Sequence, residues 1–139
     1  KNQLNRLCVR LIKNSTMTEE TYFFDTYAIM EVIQGNSKYE HFLDSKIIIN
    51  DFIFAELCYN LLKDNTKGKE EYIKKYSQFI SYPSSEVIEK ATKMRYEKRK
   101  NDLSMTDCIS YLQAKNLGIK FLTGDKEFEN LENVEFVKK

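Results

Sequence analysis

The chain has 139 residues, of which 42% are hydrophobic and 13% aromatic, enough for one packed domain and too few for two. Basic and acidic residues nearly balance at a formal net charge of +1, which argues against a large nonspecific surface for nucleic acid. No uninterrupted run of about 18 apolar residues occurs, so the sequence predicts no membrane span and a cytoplasmic location.

The number and spacing of the cysteines and histidines exclude several kinds of metal site and catalytic mechanism. Cys8, Cys58 and Cys108 lie far apart and form no CxxC pair, so neither a disulfide framework nor a thiolate metal site is expected. The single histidine, His41, falls in an aromatic helical pattern where a packing or surface role is expected. One histidine also excludes a ribonuclease mechanism that uses a pair of them.

The first 16 residues differ from the rest of the chain in charge. They contain basic residues and no acidic ones, and their apolar residues recur at helical spacing. We interpret residues 1–16 as a basic amphipathic extension that packs on the domain or on a partner and that need not be native to it. The domain itself is expected to span residues 17–139.

Strand and helix patterns alternate from residue 21 onwards. An aromatic strand over residues 21–24 ends at Asp25, and residues 26–34 then show helical spacing. A second short strand over residues 46–49 precedes Asn50, which is a typical cap for the apolar helix that follows.

The second half of the chain continues this alternation. Pro83 separates two helices, and a weak strand pattern lies near Ser81. The predicted elements are helices over 67–82, 84–100 and 104–116, a strand over 119–123, a short helix over 125–131 and a final strand over 134–137. The alternation predicts an α/β fold with three layers, α/β/α, and a short parallel sheet of about five strands.

Four carboxylates stand close to the points where strands pass into helices: Asp25, Glu56, Asp107 and Asp125. Each has a structural alternative, because Asp25 and Asp125 suit helix N-caps, Ser104 and Asp107 have capping-box spacing, and Glu56 suits an exposed helical position. Parallel α/β folds form their sites at the carboxyl ends of strands, where all four can face one crevice. Carboxylates held together repel, and oxygen ligands without Cys or His favour Mg²⁺ or Mn²⁺.

Four short blocks carry a resemblance to a known family: Phe23-Phe24-Asp25-Thr26, Phe54-Ala55-Glu56-Leu57, Leu103-Ser104-Met105-Thr106-Asp107 and Phe121-Leu122-Thr123-Gly124-Asp125. In this order and at these separations they resemble the successive blocks of the PIN nuclease domain, over residues 21–137. One departure is Tyr27, where many relatives carry a small polar residue, so a hydrogen bond made from that position in relatives is not carried over.

The resemblance implies a metal-dependent endoribonuclease. Asp25, Glu56, Asp107 and Asp125 would bind Mg²⁺ or Mn²⁺ and act in catalysis, and the hydroxyl groups of two neighbours, Thr26 and Thr123, would orient these ligands. Small single-domain members of the family are most often the toxins of VapBC-type toxin–antitoxin pairs. Such toxins form homodimers that a small antitoxin blocks, whereas other members process ribosomal RNA.

An RNA substrate requires positive charge near the acidic site. Arg95, Lys98, Arg99 and Lys100 end the helix that leads to Asp107 and are candidate phosphate contacts, although they also suit a solvated helix end. A non-catalytic PIN-like module that binds RNA or another protein is an alternative from a different class. A haloacid-dehalogenase-like phosphatase and a phosphoacceptor receiver domain are disfavoured, since each needs a further acidic residue that the sequence lacks at the matching position.

Overall fold

The computed structural model describes residues 20–138, so the predicted extension over residues 1–16 lies outside the described part of the chain. Its parallel sheet contains β1 (Thr21–Phe24), β2 (Lys46–Ile48), β3 (Lys120–Thr123) and β4 (Val134–Phe136). The α-helices are α1 (Thr26–Ile33), α2 (Asp51–Lys63), α3 (Lys69–Ser77), α4 (Ser85–Glu97) and α5 (Met105–Asn116), and short 3₁₀ helices span Ser37–Asp44 and Lys126–Phe128. Every helix within residues 20–138 is too short or too polar to span a bilayer.

The order of the strands locates a crevice in the sheet. The strands lie in the order β2-β1-β3-β4, so the chain runs from β1 to one edge and then returns past β1 to reach β3. Because crossovers between parallel strands are right-handed, connections in opposite directions cover opposite faces of the sheet, which produces the predicted three layers. The direction reverses between β1 and β3, and the crevice therefore opens at the carboxyl ends of these two strands.

The two central strands carry apolar residues on both faces. Phe23 and Phe24 on β1 and Phe121 and Leu122 on β3 are fully buried, as expected for strands that helices cover on both sides. The rings of Phe23 and Phe121 lie 6.1 Å apart between centroids. This packing fixes the ends of β1 and β3 and therefore the positions of the residues that follow them.

A buried polar network joins α2 to α5. The Asn50 side chain is fully buried and caps α2, since its Oδ1 accepts a hydrogen bond from the Ile53 amide at 2.8 Å. Its Nδ2 donates to Ser110 Oγ at 3.1 Å and to Gln113 Oε1 at 3.0 Å. Gln113 in turn donates to the Ser81 carbonyl. The network holds the helix that carries Glu56 against the helix that carries Asp107.

Within residues 20–138 the sheet has four strands, close to the predicted number of about five. The segment near Ser81 contributes a single parallel bridge, in which the Ile49 amide donates to the Phe79 carbonyl at 3.0 Å and the Ser81 amide donates to the Ile49 carbonyl at 2.7 Å. Pro83 lacks an N–H group and cannot continue this pairing. The segment predicted as a short helix over 125–131 forms one 3₁₀ turn, Lys126–Phe128.

Candidate functional site

Asp25 lies between β1 and α1, and its side chain is buried. Although it occupies the N-cap position, it makes no capping hydrogen bond, and its Oδ2 accepts a hydrogen bond from Thr123 Oγ1 at 2.7 Å. Burial raises the pKa of Asp25 from 3.8 to about 7; the Asp107 and Glu56 carboxylates add to the rise, and the Thr123 hydrogen bond opposes it. A carboxyl group with this pKa exchanges its proton near neutral pH.

Glu56 lies on the first half of α2 and is half-buried. Thr26 Oγ1 donates a hydrogen bond to Glu56 Oε2 at 2.8 Å. Because Thr26 follows Asp25 directly in the chain, this bond ties Glu56 to the start of α1. The role expected for Thr26, which is to orient a metal ligand, stays a prediction.

Asp107 takes part in the capping box that the spacing from Ser104 predicts. The Ser104 amide donates to Asp107 Oδ2 at 2.8 Å, and the Asp107 amide donates to Ser104 Oγ at 3.0 Å. Burial raises the pKa of Asp107, its hydrogen bonds to Ser104 lower it, and the Asp125 and Glu56 carboxylates raise it further. Asp107 therefore has a structural role and is also coupled to the other carboxylates.

Asp125 caps a helical turn and is also linked to the other carboxylates. Its Oδ1 accepts a hydrogen bond from the Glu127 amide at 3.1 Å, which caps the 3₁₀ turn Lys126–Phe128. The Asp125 amide donates at 3.1 Å to Thr123 Oγ1, the same atom that donates to Asp25. A single buried hydroxyl thus links Asp25 to the segment that carries Asp125.

The structure brings the four predicted carboxylates into electrostatic contact without forming a ready ligand cage. Asp25 and Glu56 line one open cavity of about 700 Å³, whereas Asp107 and Asp125 do not line it. Within residues 20–138, no three Asp, Glu, His or Cys side chains converge closely enough as they stand to hold one ion. Carboxylates repel one another unless a cation or protons lie between them, so separation of these side chains is expected from their charge.

The residues fit a divalent cation by their chemistry. The cluster offers carboxylate oxygens, which hard cations such as Mg²⁺ and Mn²⁺ prefer. The raised pKa values of Asp25 and Asp107 show that ionising this cluster is unfavourable, and a cation would relieve that repulsion.

Two features of the site escape the sequence prediction. Glu31 lines the same cavity as Asp25 and Glu56, is buried, and accepts a hydrogen bond from Asn36 Nδ2 at 2.8 Å. A lone acidic residue in the apolar stripe of α1 is a signal that could have revealed it. The second feature is the close approach of the Tyr27 ring to Gly124, where a Cβ on residue 124 would lie 2.2 Å from Tyr27 Cε1.

The candidate RNA-binding residues lie in two different environments. Arg95 and Lys98 are half-buried, and their charges lower the pKa of the Cys108 thiol, which burial and Asp107 raise. These two cations therefore lie within electrostatic reach of the residue next to Asp107. Arg99 instead stacks on the exposed Tyr96 ring, with its guanidinium carbon 4.5 Å from the centroid, and Lys100 is exposed.

Several solved structures share this fold. A toxin–antitoxin complex from Klebsiella pneumoniae aligns with a TM-score of 0.71 and 18% identity, over 85% of this chain and 99% of that chain. The structure of Mycobacterium tuberculosis VapC20, described as a sarcin-ricin loop cleaving toxin, aligns with a TM-score of 0.70 and 15% identity, over 85% of this chain and 99% of that chain. VapBC2 from Rickettsia felis, bound to a promoter DNA fragment, aligns with a TM-score of 0.62 and 18% identity, over 86% and 98% of the two chains.

The family of the protein is assigned from its sequence. No curated protein matches it significantly. The PIN domain family model matches residues 22–134, which include all four of the candidate carboxylates. The fold similarity agrees with this match along its length. The chain therefore belongs to the PIN domain family.

Proposed function

We propose that the protein is a metal-dependent endoribonuclease that hydrolyses RNA phosphodiester bonds, and that it is the toxin of a VapBC-type toxin–antitoxin pair. The observation that carries the proposal is the electrostatically coupled cluster of Asp25, Glu56, Asp107 and Asp125 at the carboxyl ends of β1 and β3. Membership of the PIN family supports a nuclease. The cysteine pattern of the sequence supports a cytosolic protein.

The threonines of the site keep the carboxylates in position. Thr123 Oγ1 donates a hydrogen bond to Asp25, and Thr26 Oγ1 donates one to Glu56. In each of these two acids, one carboxylate oxygen is therefore held by a threonine hydroxyl. Fixed ligands need less reorganisation when a substrate arrives.

The four carboxylates would hold one or two Mg²⁺ or Mn²⁺ ions. A bound ion would polarise the phosphodiester, lower the pKa of a water molecule and shield the leaving oxygen. The protein supplies the ligands and, through α1 and α2, a cavity in which the scissile phosphate can approach Asp25 and Glu56.

The proposal is tested by cleavage assays on RNA with defined metal content. We expect cleavage with Mg²⁺ or Mn²⁺, none with EDTA, and a loss of about a hundredfold or more in rate for Asp107→Asn. Asparagine retains the oxygen that accepts the Ser104 hydrogen bond, so the fold should survive. Asp102→Asn, which changes an exposed acid five residues earlier, is the matched control. Equal rates for Asp107→Asn and the parent would refute the enzymatic proposal.

A non-catalytic binding module is the second candidate. It is favoured by the absence, within residues 20–138, of three side chains converging to hold an ion. In that case RNA would bind with the same affinity with and without divalent ions, and neither ion would support cleavage. Isothermal titration calorimetry with Mg²⁺ distinguishes the nuclease from the binding module. A nuclease should bind the ion, and its Asp107→Asn variant should bind it more weakly.

The toxin assignment rests on the relatives of the fold. A toxin–antitoxin complex and VapBC2 are among the structures that share it, which supports a small antitoxin as a partner. A homodimer is the assembly that we propose by the same analogy. A short reading frame adjoining the gene, whose product binds this protein and blocks cleavage, would distinguish a toxin from an RNA-processing nuclease.

We expect the Arg95→Glu, Lys98→Glu double variant to bind RNA at least roughly tenfold more weakly at low salt, and its log Kd should rise less steeply with log salt than that of the parent. Both cations act electrostatically on Cys108, the residue next to Asp107, so we expect them to attract a phosphate that binds near Asp107. Fluorescence anisotropy over a salt series provides the measurement. Lys74→Glu with Lys75→Glu on α3 is a charge-matched control, and equal weakening by that pair would show that only net charge matters.

A further inference from the structure

Tyr59 is a large aromatic residue left exposed inside the carboxylate cavity. It lies on α2 one turn after Glu56, and 66% of it is exposed. It nevertheless lines the same cavity as Asp25 and Glu56. An exposed aromatic ring on the wall of a polar cavity offers a flat apolar surface to whatever binds there.

A cation lies beside this ring. Lys63, one turn further along α2, has its Nζ 6.0 Å from the centroid of the Tyr59 ring. This distance is the outer limit of a cation–π contact, and most of the Tyr59 side chain stays exposed beside the ammonium group. Asn60 lines the cavity next to Tyr59 and offers amide groups. An aromatic face, a cation and an amide are the groups with which proteins bind an unpaired nucleotide.

The position of Tyr59 favours a nucleotide over a protein partner. Phe52 and Leu62 are also exposed on α2, but neither of them lines the cavity. The residues that share the cavity with Tyr59 include the acids Asp25 and Glu56, which suit a metal-bridged phosphate and not an apolar protein side chain. The ring therefore belongs with the proposed reaction site.

We propose that Tyr59 stacks on the base of a nucleotide adjacent to the scissile phosphate, with Lys63 contacting the neighbouring phosphate. The inference rests on the proposed ribonuclease function and extends it to a residue of this chain that positions the substrate base. A base within a duplex has both faces covered by its neighbours and cannot stack on a side chain.

Binding is measured in the Asp107→Asn background, so that cleavage does not interfere. The probe is a single-stranded RNA oligonucleotide containing 2-aminopurine, whose fluorescence falls when the base stacks, with Mg²⁺ present. We expect fluorescence quenching with Tyr59 and with Tyr59→Phe. Tyr59→Leu should lose the quenching and bind roughly tenfold more weakly, because leucine retains apolar volume without a ring. Tyr82→Leu, which removes a tyrosine that is 75% exposed outside this cavity, should change neither quantity.

Several outcomes would overturn the inference. It fails if Tyr59→Leu quenches and binds like the parent, or if a duplex of the same sequence binds as tightly as the single strand. A change in the oligomeric state of Tyr59→Leu by analytical ultracentrifugation, with unchanged RNA binding, would assign Tyr59 to a protein interface instead. If the parent protein never cleaves RNA but the Tyr59 variants behave as expected, the nuclease proposal fails and base stacking stands.

Discussion

Replacing Asp25 with Asn is expected to slow RNA cleavage by about a thousandfold and, at the same time, to stabilise the folded domain at neutral pH. Activity falls because the neutral amide lacks the charge that helps to hold a cation. The fold survives because the amide oxygen can still accept the hydrogen bond from Thr123 Oγ1.

The gain in stability follows from the sign of the pKa shift. The pKa of Asp25 rises from 3.8 to about 7 on folding, so between these values the native state holds a proton that the unfolded chain has released. The stability of the parent therefore falls as the pH rises from about 4 to about 7 and is level above that. The Asp25→Asn variant has no charge to bury at this position, and the difference at pH 8 should be on the order of 2–4 kcal/mol.

Urea denaturation between pH 4 and pH 8 measures this difference. The free energies of unfolding of the two proteins should converge near pH 4 and diverge towards pH 8. Added Mg²⁺ should stabilise the parent at pH 8 and have little effect on the variant, because the ion takes over the neutralising role of the proton. Asp102→Asn, which removes an exposed charge, is the control. Parallel pH curves for parent and Asp25→Asn would show that Asp25 ionises without cost.

Replacing Gly124 with Ala is expected to destabilise the domain by about 2–4 kcal/mol and to reduce cleavage. An alanine Cβ would lie 2.2 Å from Tyr27 Cε1 and 2.7 Å from the Val137 carbonyl oxygen. The ring can move, but it lines the cavity, so its movement disturbs the wall next to Asp25. The carbonyl belongs to the backbone next to β4, where the Val137 amide donates to the Thr123 carbonyl at 3.0 Å.

A double-mutant cycle with Tyr27→Ala tests which neighbour obstructs the new methyl group. Removing the ring should recover part of the stability lost in Gly124→Ala, since one of the two close contacts disappears, and the coupling should exceed about 0.5 kcal/mol. The remainder should persist because the Val137 carbonyl stays in place. If Gly124→Ala costs the same with and without the Tyr27 ring, the ring is not the obstacle.

Local signals in the sequence account for most of the elements. Ser104 and Asp107 form the capping box that their spacing predicts, and Asn50 caps α2 as its position predicts. These features depend on residues within one helical turn of each other, so they can be recognised from the sequence. Element ends were less predictable: the helix expected over 67–82 is α3, Lys69–Ser77, because the chain must leave it to pair Ile80 with Ile49.

The α/β alternation, the helix caps and the order of the acidic blocks can be predicted from the sequence, because each depends on residues that are close together in the chain. The neighbours of the acidic residues depend on the folded structure, because they come from distant parts of the chain. Thr123 and Asp25 share a hydrogen bond across 98 positions of chain, and burial raises the pKa of Asp25 to about 7. The tertiary structure also places Glu31 and Tyr59 in the wall of the cavity and leaves Asp107 and Asp125 outside it. These positions depend on how β1 packs against β3 and α2 against α5, which local sequence patterns do not specify.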